Sequence, residues 1–476
     1  MKILILGAGR VGESVAESLV SEQNDITVVD VDAAKLSDLQ DRFDLRGVVG
    51  NAMLPSVLRD AGAQDTDMLL AVTALDETNL AACKIAKHLF NIPVRIARVR
   101  SSEFQSAPEI TGENGFEAQT VICPEQTVVD MIDRLVEFPE ALQVLNFAHG
   151  LLGLIAVRAY AGGLLVNHPI EDLRRQIPDV DARVVAIFRN ERPVPVRGDT
   201  VIQPGDEVFC LAATEHLRKV MRELRRVDKA VRRVIIAGGG NIGFRLAQQL
   251  GDDYEVKIIE SRRARCEMLA ARLPSRVLVL NGDATDEDLL VDENVHETDL
   301  FLALTSDDED NIMSCLLAKR LGARRTLAII NRKSYAELMQ GSAIDIAISP
   351  SQATIGELLR LVRRGDIVAV HSLRRGAAEA LEIVAHGDAN NSRVVGKRVE
   401  QIEMPAGAMI GAIVRGLQGP AHMGPLTQRQ DTRAAKVLIA HHDTVIESDD
   451  HVIVFCENKR ILPKVEKLFQ VSVGFF

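Results

Sequence analysis

Short apolar runs alternate with amphipathic stretches along the first 123 residues. The runs are four or five residues long, which is typical of strands, whereas the stretches between them repeat their apolar positions at helical spacing. Strands are predicted at residues 2–6, 26–29, 46–49, 68–72, 94–98 and 119–122. Because strands that alternate with helices build a parallel sheet with helices on both faces, the pattern predicts a Rossmann-like, doubly wound α/β domain.

The same pattern occurs a second time in the chain. The segment Lys2–Gly12, KILILGAGRVG, is matched by Arg233–Gly243, RVIIAGGGNIG, at an offset of 231 residues. At offsets of 230–232 the match continues through Asp30 and Glu260, Asn51 and Asp283, Ala52 and Ala284, Thr73 and Thr305, Asn79 and Asn311, and Arg100 and Arg332. A match that stays in register over about 100 residues indicates a duplication.

A proline-led helix is predicted to leave each parallel sheet. After Pro124, whose missing N–H costs nothing at the first helical position, Val128, Ile132 and Leu135 repeat at helical spacing, with Met131 beside them. Pro350 begins the matching stretch of the second copy. We therefore expect a connector helix in each half.

A smaller α+β unit is predicted to follow each connector. Residues 197–209, RGDTVIQPGDEVF, match residues 441–453, HHDTVIESDDHVI, at an offset of 244. Short helices are expected at 170–176 and 399–402, a strand at 184–188, and closing helices at 215–224 and 458–468. The Gly-, Pro- and Gln-rich residues 416–433 are expected to form a surface loop that enlarges the second unit.

These patterns predict two Rossmann-like domains in tandem, each followed by a small α+β domain. The charged residues 222–233 are expected to carry the first closing helix into an interdomain linker. The predicted boundaries are 1–123, 124–140 and 141–227 for the first sheet domain, connector and small domain, and 228–349, 350–366 and 367–476 for the second set.

Composition narrows the classes of function. The chain has 476 residues and a formal net charge of −11, which argues against a nucleic-acid partner. Its longest apolar stretches fall short of the roughly 18 residues that a membrane helix needs, and the N-terminal run leads into glycines rather than a cleavage pattern. The six cysteines are widely spaced without a C-x-x-C pair, which is typical of a reducing cytosol.

Each copy carries a G-x-G-x-x-G motif between a strand and a helix, the position at which backbone amides meet a pyrophosphate. The alternative, glycines that only pack helix on strand, is less favoured because the motif occurs twice. The residues expected to bind a cofactor here are Gly7, Gly9, Arg10, Val11 and Gly12 in the first copy and Gly238, Gly240, Asn241, Ile242 and Gly243 in the second.

An acid at the end of the second strand follows each motif. Asp30 and Glu260 are placed to accept hydrogen bonds from ribose hydroxyls and to repel a 2′-phosphate, so an unphosphorylated ribose is preferred over NADP. The positive charges of Arg262 and Arg263 weaken the repulsion of a 2′-phosphate in the second site. Because Arg10 is replaced by Asn241, we expect more anionic ligands in the first pocket, unless Arg10 is simply a solvated side chain at a helix start.

Further candidates follow the third and later strands. Asn51 and Asp283, with Ala52 and Ala284 beside them, either reach an adenine ring or form ordinary Asx turns. Thr73 and Thr305 either belong to the nucleotide sites or cap the acidic helix starts that follow. Arg100 and Arg332 are open between a ligand role and an interface role.

A dense group of possible metal ligands lies near the C-terminus. It comprises His441, His442, Asp443, Asp449, Asp450 and His451. The matching first unit lacks the histidines, so a solvated hairpin turn is preferred over a cation site, and no metal is predicted.

No reaction is predicted for this chain. A dehydrogenase needs a proton-transfer group near the nicotinamide, yet none of the eleven histidines recurs across the repeat; His88, for example, corresponds to Arg320. Nucleotide sensing is therefore expected rather than turnover, with an NAD-dependent oxidoreductase as a weaker alternative.

The order of motifs resembles the RCK or KTN domains that regulate potassium transport. A G-x-G-x-x-G domain, an acid after the second strand, Gly-Asn/Asp-Ala after the third, a proline-led connector and a terminal R-G-D-T…G-D-E-V unit are all present, the first four in both copies. The second small unit departs from the pattern, because His-His-Asp-Thr and Ser-Asp-Asp-His replace its glycine-containing turns.

The resemblance implies a regulatory subunit and not an enzyme. It implies binding of NAD(H) and of ATP or ADP, a homotetramer that forms an eight-domain ring, and a place on the cytoplasmic face of the inner membrane. The implied partner is a membrane potassium channel subunit of the Trk type, TrkH or a relative. A regulator of another cation transporter or antiporter is the alternative.

Overall fold

The computed structural model describes residues 1–20, 24–190, 192–224, 229–332, 334–335, 344–362, 367–373, 378–417 and 435–471, with residues 352, 354, 357 and 360–362 described by their backbone alone. The chain divides into two compact units. The first contains Met1–Thr127 and Pro350–Val362, and the second contains the described residues of Val128–Ser349 and those from 367 onward.

The first unit is built on a parallel sheet. Its strands are β1 Lys2–Leu6, β2 Asp25–Asp30, β3 Arg46–Val49, β4 Met68–Ala71, β5 Val94–Arg98 and β6 Thr120–Ile122. Its helices are α1 Arg10–Val20, α2 Ala33–Arg42, α3 Pro55–Asp60, α4 Asp76–Phe90, α5 Ser102–Gln105 and α6 Pro108–Thr111. The sheet order β3-β2-β1-β4-β5-β6 reverses direction at β1, so the carboxyl ends of β1 and β4 flank the topological switch point where such sheets bind ligands.

The second unit contains a parallel sheet of the same order, β14-β13-β12-β15-β16-β17. Its strands are β12 Arg233–Ala237, β13 Glu255–Glu260, β14 Leu278–Asn281, β15 Leu300–Ala303, β16 Arg325–Ile329 and β17 Ile346–Ile348. The described helices that alternate with these strands are α10 Asn241–Leu250, α11 Arg263–Arg272, α12 Glu287–Asp292 and α13 Asp308–Arg320. The predicted duplication of a doubly wound α/β fold is thus confirmed.

Two antiparallel sheets complete the second unit. They have the orders β10-β9-β11-β8-β7 and β18-β19-β22-β20-β21. The first contains β7 Ala141–Phe147, β8 Leu152–Arg158, β9 Ala182–Arg189, β10 Arg192–Val194, β11 Glu207–Ala213, α8 Leu173–Gln176 and α9 Leu217–Leu224. The second contains β18 Ile367–Leu373, β19 Ala378–Ala385, β20 Ala408–Arg415, β21 Lys436–Ile439, β22 Asp450–Cys456 and α15 Leu462–Phe469.

One apolar core joins these two antiparallel sheets. Phe147, Leu211 and Phe209 from the first sheet pack in the same cluster as Ile453 and Phe455 from the second. Both predicted closing helices are found, each entered through a short 3-10 turn. Of the predicted surface loop, residues 418–433 lie outside the described residues, as do 225–228 of the predicted linker.

Both predicted connector helices are present, as α7 Pro124–Glu137 and α14 Pro350–Val362. Val128, Ile132 and Leu135 of α7 are buried, as their spacing predicted. Asp133 of α7 accepts a hydrogen bond from Gln249 of α10, at 2.8 Å, and α14 packs against α1. Each connector therefore contacts the sheet domain of the other copy, an exchange that the sequence pattern did not predict.

No helix within the described ranges combines the length and the apolar character needed to cross a bilayer.

Candidate functional site

The glycine-rich turn of the first copy lies between β1 and α1. Gly7 has a φ of +108°, and a Cβ on Gly12 would lie 1.9 Å from the carbonyl oxygen of Gly7. A side chain is thus excluded at Gly12 by the close approach of helix and turn. At Gly9, by contrast, a Cβ would meet no heavy atom within 4 Å, so this position opens onto the edge of the sheet. Such an opening is where a pyrophosphate approaches the backbone in dinucleotide-binding turns.

The second copy repeats this turn between β12 and α10. Gly238 has the same φ of +108°, and a Cβ on Gly243 would lie 2.0 Å from the carbonyl oxygen of Gly238. Gly240 is open in the way that Gly9 is. The geometry of the turn is therefore conserved within the chain despite different residues around it.

The residues that follow the second glycine begin the helices. Arg10 and Asn241 are exposed at the first position of α1 and α10, and Val11 and Ile242 are partly buried at the second. Their backbone amides lie in the first turn of a helix, where the N–H groups lack intrahelical acceptors and suit an anion.

Asp30 ties the end of β2 to the glycine turn. Its Oδ2 accepts a hydrogen bond from the amide of Ala8 at 2.6 Å, and its Oδ1 accepts one from the amide of Asp32 at 2.9 Å. The carboxylate is thereby fixed beside the turn at the carboxyl edge of the sheet, the position from which a ribose is bound in this class of fold.

Glu260 occupies the matching position but is more buried. Its Oε2 accepts from the amide of Gly239 at 3.1 Å, while its Oε1 accepts from the amide of Arg262 at 2.9 Å and from its Nε at 3.2 Å. Burial acts to raise the pKa of Glu260, but the hydrogen bonds and charge of Arg262 outweigh it and leave this pKa below its usual value.

The longer acid of the second copy lies beside a glycine that has little room for a side chain. A Cβ on Gly239 would lie 3.0 Å from Glu260 Oε2 and 2.4 Å from Leu269 Cδ1, whereas the first copy has Ala8 beside the shorter Asp30. A methyl group at Gly239 would therefore crowd both Leu269 and the carboxylate of Glu260.

Asn51 and Asp283 form Asx turns at the ends of β3 and β14. Asn51 Oδ1 accepts from the amide of Met53 at 2.9 Å, and Asp283 Oδ1 accepts from the amide and the hydroxyl of Thr285, both at 2.8 Å. These hydrogen bonds hold the pKa of Asp283 below its usual value. Both side chains are exposed, while Ala52 is buried and Ala284 is partly buried beneath them.

Thr73 and Thr305 lie at the ends of the fourth strands, where a buried asparagine fixes them. Asn79 Oδ1 accepts from the amide of Thr73 at 2.9 Å, and its Nδ2 donates to the carbonyl of Arg98 at 2.8 Å. Asn311 makes the corresponding bonds to Thr305, at 2.9 Å, and to the carbonyl of Ile329, at 2.9 Å. These asparagines join the ends of two strands beside the site. The sequence signalled them only through their recurrence in the repeat.

The two arginines that follow the fifth strands have different partners. Arg100 Nε lies 3.4 Å from Glu125 Oε1, in the first turn of the connector α7, where Arg98 also pairs with that carboxylate at 2.7 Å. Arg332 pairs with Glu309 at 2.8 Å and stacks on the ring of Tyr335. Arg100 is therefore tied to the start of a connector, and Arg332 to the start of α13.

The histidine and aspartate side chains near the C-terminus have separate partners and do not converge on one point. Asp450 is fully buried against Arg415, and buried His451 lies 2.6 Å from Glu382. His441 lies 3.2 Å from Asp181. The expected solvated turn is therefore wrong for Asp450 and His451, because both belong to the buried strand β22. In the part of the chain that the structure describes, no three His, Cys, Asp or Glu side chains are grouped to hold a metal ion.

Comparison with known proteins supports the duplicated architecture. The TrkA-N domain family matches residues 3–124 and 234–350, and the TrkA-C domain family matches residues 154–225. Among solved structures, the GsuK channel has a TM-score of 0.61 at 15% identity, covering 98% of this chain and 78% of that one. The GsuK channel bound to NAD has a TM-score of 0.60 at 15% identity, with the same coverage of 98% and 78%. These likenesses show the fold.

Curated relatives match the chain over its whole length. The Trk system potassium uptake protein TrkA of Halomonas elongata is 52% identical over 476 residues, and that of Vibrio alginolyticus is 51% identical over 476 residues; each alignment covers 100% of both chains. Identity at this level over every domain goes well beyond a shared fold. The chain therefore belongs to the TrkA family of Trk system potassium uptake proteins.

Proposed function

We propose that this chain is a cytosolic regulatory subunit that binds NAD(H) and ATP or ADP in its two parallel-sheet domains and gates a potassium channel subunit of the Trk type, TrkH or a relative. The observation that carries the proposal is the duplicated glycine turn with a carboxylate fixed beside it. A relative in fold, the GsuK channel, has been solved bound to NAD.

The residues proposed to bind nucleotides are those at the carboxyl ends of the first four strands of each sheet. In the first site they are the turn Gly7–Gly12 with Asp30, Asn51, Ala52 and Thr73, and Arg100 at the end of the fifth strand. In the second they are the turn Gly238–Gly243 with Glu260, Asp283, Ala284 and Thr305.

Gating follows from differential binding. A nucleotide that binds one arrangement of the protein more tightly than another shifts the population toward that arrangement. The connectors α7 and α14 are the proposed carriers of this shift, because Arg98 and Arg100 at the carboxyl edge of the first sheet hold Glu125 of α7. No proton-transfer chemistry is needed for this role, so we propose no enzymatic activity.

The assembly is proposed to be a homotetramer whose eight domain pairs form a ring against the cytoplasmic face of the membrane. Light scattering of the purified protein should then give a mass of four 52.1 kDa chains.

Calorimetric titration with NAD, NADH, ADP and ATP tests nucleotide binding. We expect binding without turnover, weakened about tenfold or more by Asp30→Ala at one site and by Glu260→Ala at the other, since each loses charge-assisted hydrogen bonds. Asp67→Ala and Asp299→Ala are matched controls, because these carboxylates accept backbone amides at the opposite edge of each sheet.

Potassium uptake by cells that lack their own copy of this subunit tests gating. The two site variants should respond less to nucleotide supply than the two controls. If no nucleotide binds, or if uptake is the same with and without the protein, the proposed function is wrong.

A further inference from the structure

The loops that follow the two ribose-side acids carry opposite charges. In the first copy Asp30 is followed by Asp32 and Ala33; in the second, Glu260 is followed by Arg262 and Arg263. The backbone is the same in both, since Asp32 and Arg262 each precede the first residue of a ten-residue helix, α2 and α11. The two sites thus present different chemistry from one geometry.

In the first copy, Asp32 is an ionised residue that caps a helix. Its Oδ1 accepts hydrogen bonds from the amides of Ala34, at 3.0 Å, and Lys35, at 3.3 Å, so the side chain caps α2. The backbone hydrogen bond from Lys35 holds the pKa of Asp32 below its usual value, so the carboxylate is ionised at neutral pH. Two carboxylates, Asp30 and Asp32, therefore lie at the end of β2 and at the start of α2, beside the proposed ribose position.

In the second copy, Arg262 makes no side-chain cap and turns toward the acid instead. Its Nε lies 3.2 Å from Glu260 Oε1, while 73% of its side chain remains exposed. The guanidinium of Arg263 pairs only loosely with Glu267, at 3.4 Å, and 85% of its side chain is exposed. Two guanidinium groups are therefore accessible where the first copy presents a carboxylate and a methyl group.

Glu260 repels an anion less strongly than Asp30 does. One of its oxygens accepts from Gly239 and the other from Arg262, so its charge is partly neutralised where it lies. Arg265 adds a third guanidinium, whose Nε donates to the carbonyl of Gly239 at 2.8 Å beside the same turn. Guanidinium groups match phosphate geometry, and an arginine after the second strand is the device by which this fold accepts a ribose 2′-phosphate.

We infer that the second site accepts a nucleotide whose adenosine ribose carries a 2′-phosphate, as in NADP(H), whereas the first site excludes it. Arg262 and Arg263 are the residues that determine this specificity, with Asp30 and Asp32 as their counterparts in the first copy. The inference rests on the proposed nucleotide-binding function and adds a ligand class to one of its two sites.

Titration of the full chain with NAD and NADP, which differ only by the 2′-phosphate, tests the inference. In a Gly9→Ala background, which blocks the pyrophosphate approach of the first site and leaves Asp30 and Asp32 in place, NADP should bind at least as tightly as NAD. Arg262→Asp, which installs the residue of the first copy, should weaken NADP about tenfold or more and change NAD far less. Arg276→Asp is the matched control, because Arg276 precedes β14 at the opposite edge of the same sheet.

The reciprocal exchange gives a gain of function. Asp32→Arg in a Gly240→Ala background, which blocks the pyrophosphate approach of the second site, should allow the first site to bind NADP; thermal unfolding run beside it shows whether α2 tolerates the loss of its cap. NAD binding at the second site with no NADP binding there would overturn this inference alone. An equal loss of NADP binding in Arg276→Asp would also overturn it. If neither dinucleotide bound, the proposed function would fail with it.

Discussion

At the scale of single residues, glycines of one motif serve two separate purposes. Gly12 and Gly243 have no room for a Cβ, since it would meet the carbonyl oxygen of the first glycine. Gly9 and Gly240 have open space and matter only when something approaches the turn. Packing and binding can therefore be separated by substitution.

Gly12→Ala should destabilise the first unit by about 1–3 kcal/mol, because helix and turn must move apart. Gly9→Ala should leave the free energy of unfolding within about 0.5 kcal/mol and still weaken nucleotide binding, since the methyl group would occupy the pyrophosphate approach. Thermal unfolding and calorimetry of the two variants check this. Equal stability of Gly12→Ala and the unchanged protein would contradict the close contact.

An ion pair between a partly exposed arginine and a buried aspartate recurs in the two small units. Arg189 binds Asp206 through two hydrogen bonds of 2.9 Å, and Arg415 binds Asp450 in the same way, also at 2.9 Å. Both aspartates are fully buried. The R-G-D-T…G-D-E-V motif thus keeps its second aspartate for structure.

Asp206→Ala and Asp450→Ala should each lower the free energy of unfolding by about 2–3 kcal/mol, because hydrogen bonds to a buried carboxylate are lost while the arginine keeps some contact with water. Denaturant titration measures this. The exposed pair of Arg320 and Glu287 provides the control, since Glu287→Ala should cost about 1 kcal/mol or less. Similar losses in all three variants would argue against the role of burial.

Residue types in the sequence indicated the glycine turns and the acids, because both are fixed by position relative to a strand end. They did not indicate that Asn79 and Asn311 would fix the fourth strand ends, or that His451 would be buried beside Glu382. Such roles depend on which polar groups tertiary packing leaves to be satisfied, and this is not a local property of the sequence.

At the scale of elements, hydrophobic periodicity located the strands well. The predicted strands at 2–6, 46–49 and 94–98 coincide with β1, β3 and β5, and the other three of the first sheet differ by one residue or less at each end. The strand expected at 184–188 is longer, since β9 begins two residues earlier and ends one residue later. The type of short helices was less predictable: the helix expected at 170–176 is a 3-10 turn followed by the four-residue α8, and the one expected at 399–402 is a 3-10 turn at Val399–Gln401. Periodicity identifies the apolar face of an element but not the element that covers it, so the exchange of α7 and α14 was not foreseen.

The contact between β7 and β18 makes stability depend on pH. His371 on β18 retains some solvent access, but its ring lies edge-on to Phe147, and its Nε2 donates to the carbonyl of Asn146 at 3.0 Å. Desolvation by this packing lowers the pKa of His371 to about 4. In the unfolded chain a histidine titrates near 6.5, so between these values the unfolded state binds more protons than the folded state.

The free energy of unfolding should therefore fall as the pH drops from about 6.5 toward 4, by about 2–3 kcal/mol between pH 7 and 4.5 from this residue. His371→Gln should remove that part of the dependence. His88→Gln, at an exposed position of α4, should leave the dependence unchanged. Unfolding curves at several pH values give the comparison, and identical profiles for both variants would show that His371 does not titrate in this way.

At the scale of the whole molecule, the chain is two copies of one plan with unequal sites. The glycine turns and the asparagine links are alike in both copies, whereas the charges around the ribose position are reversed. Family membership and fold accord with a subunit of potassium uptake, and the difference between copies is the basis of the ligand preference proposed above.

The exchanged connectors make each half of the chain depend on a helix from the other half. Because α14 packs on α1 while α7 reaches α10, neither half is complete without a helix supplied by the other. The same contacts would hold together two identical single-copy subunits that exchanged one helix each, so the chain has the construction of a helix-swapped homodimer within one polypeptide. The two halves are therefore held together by reciprocal helix packing as well as by the chain itself.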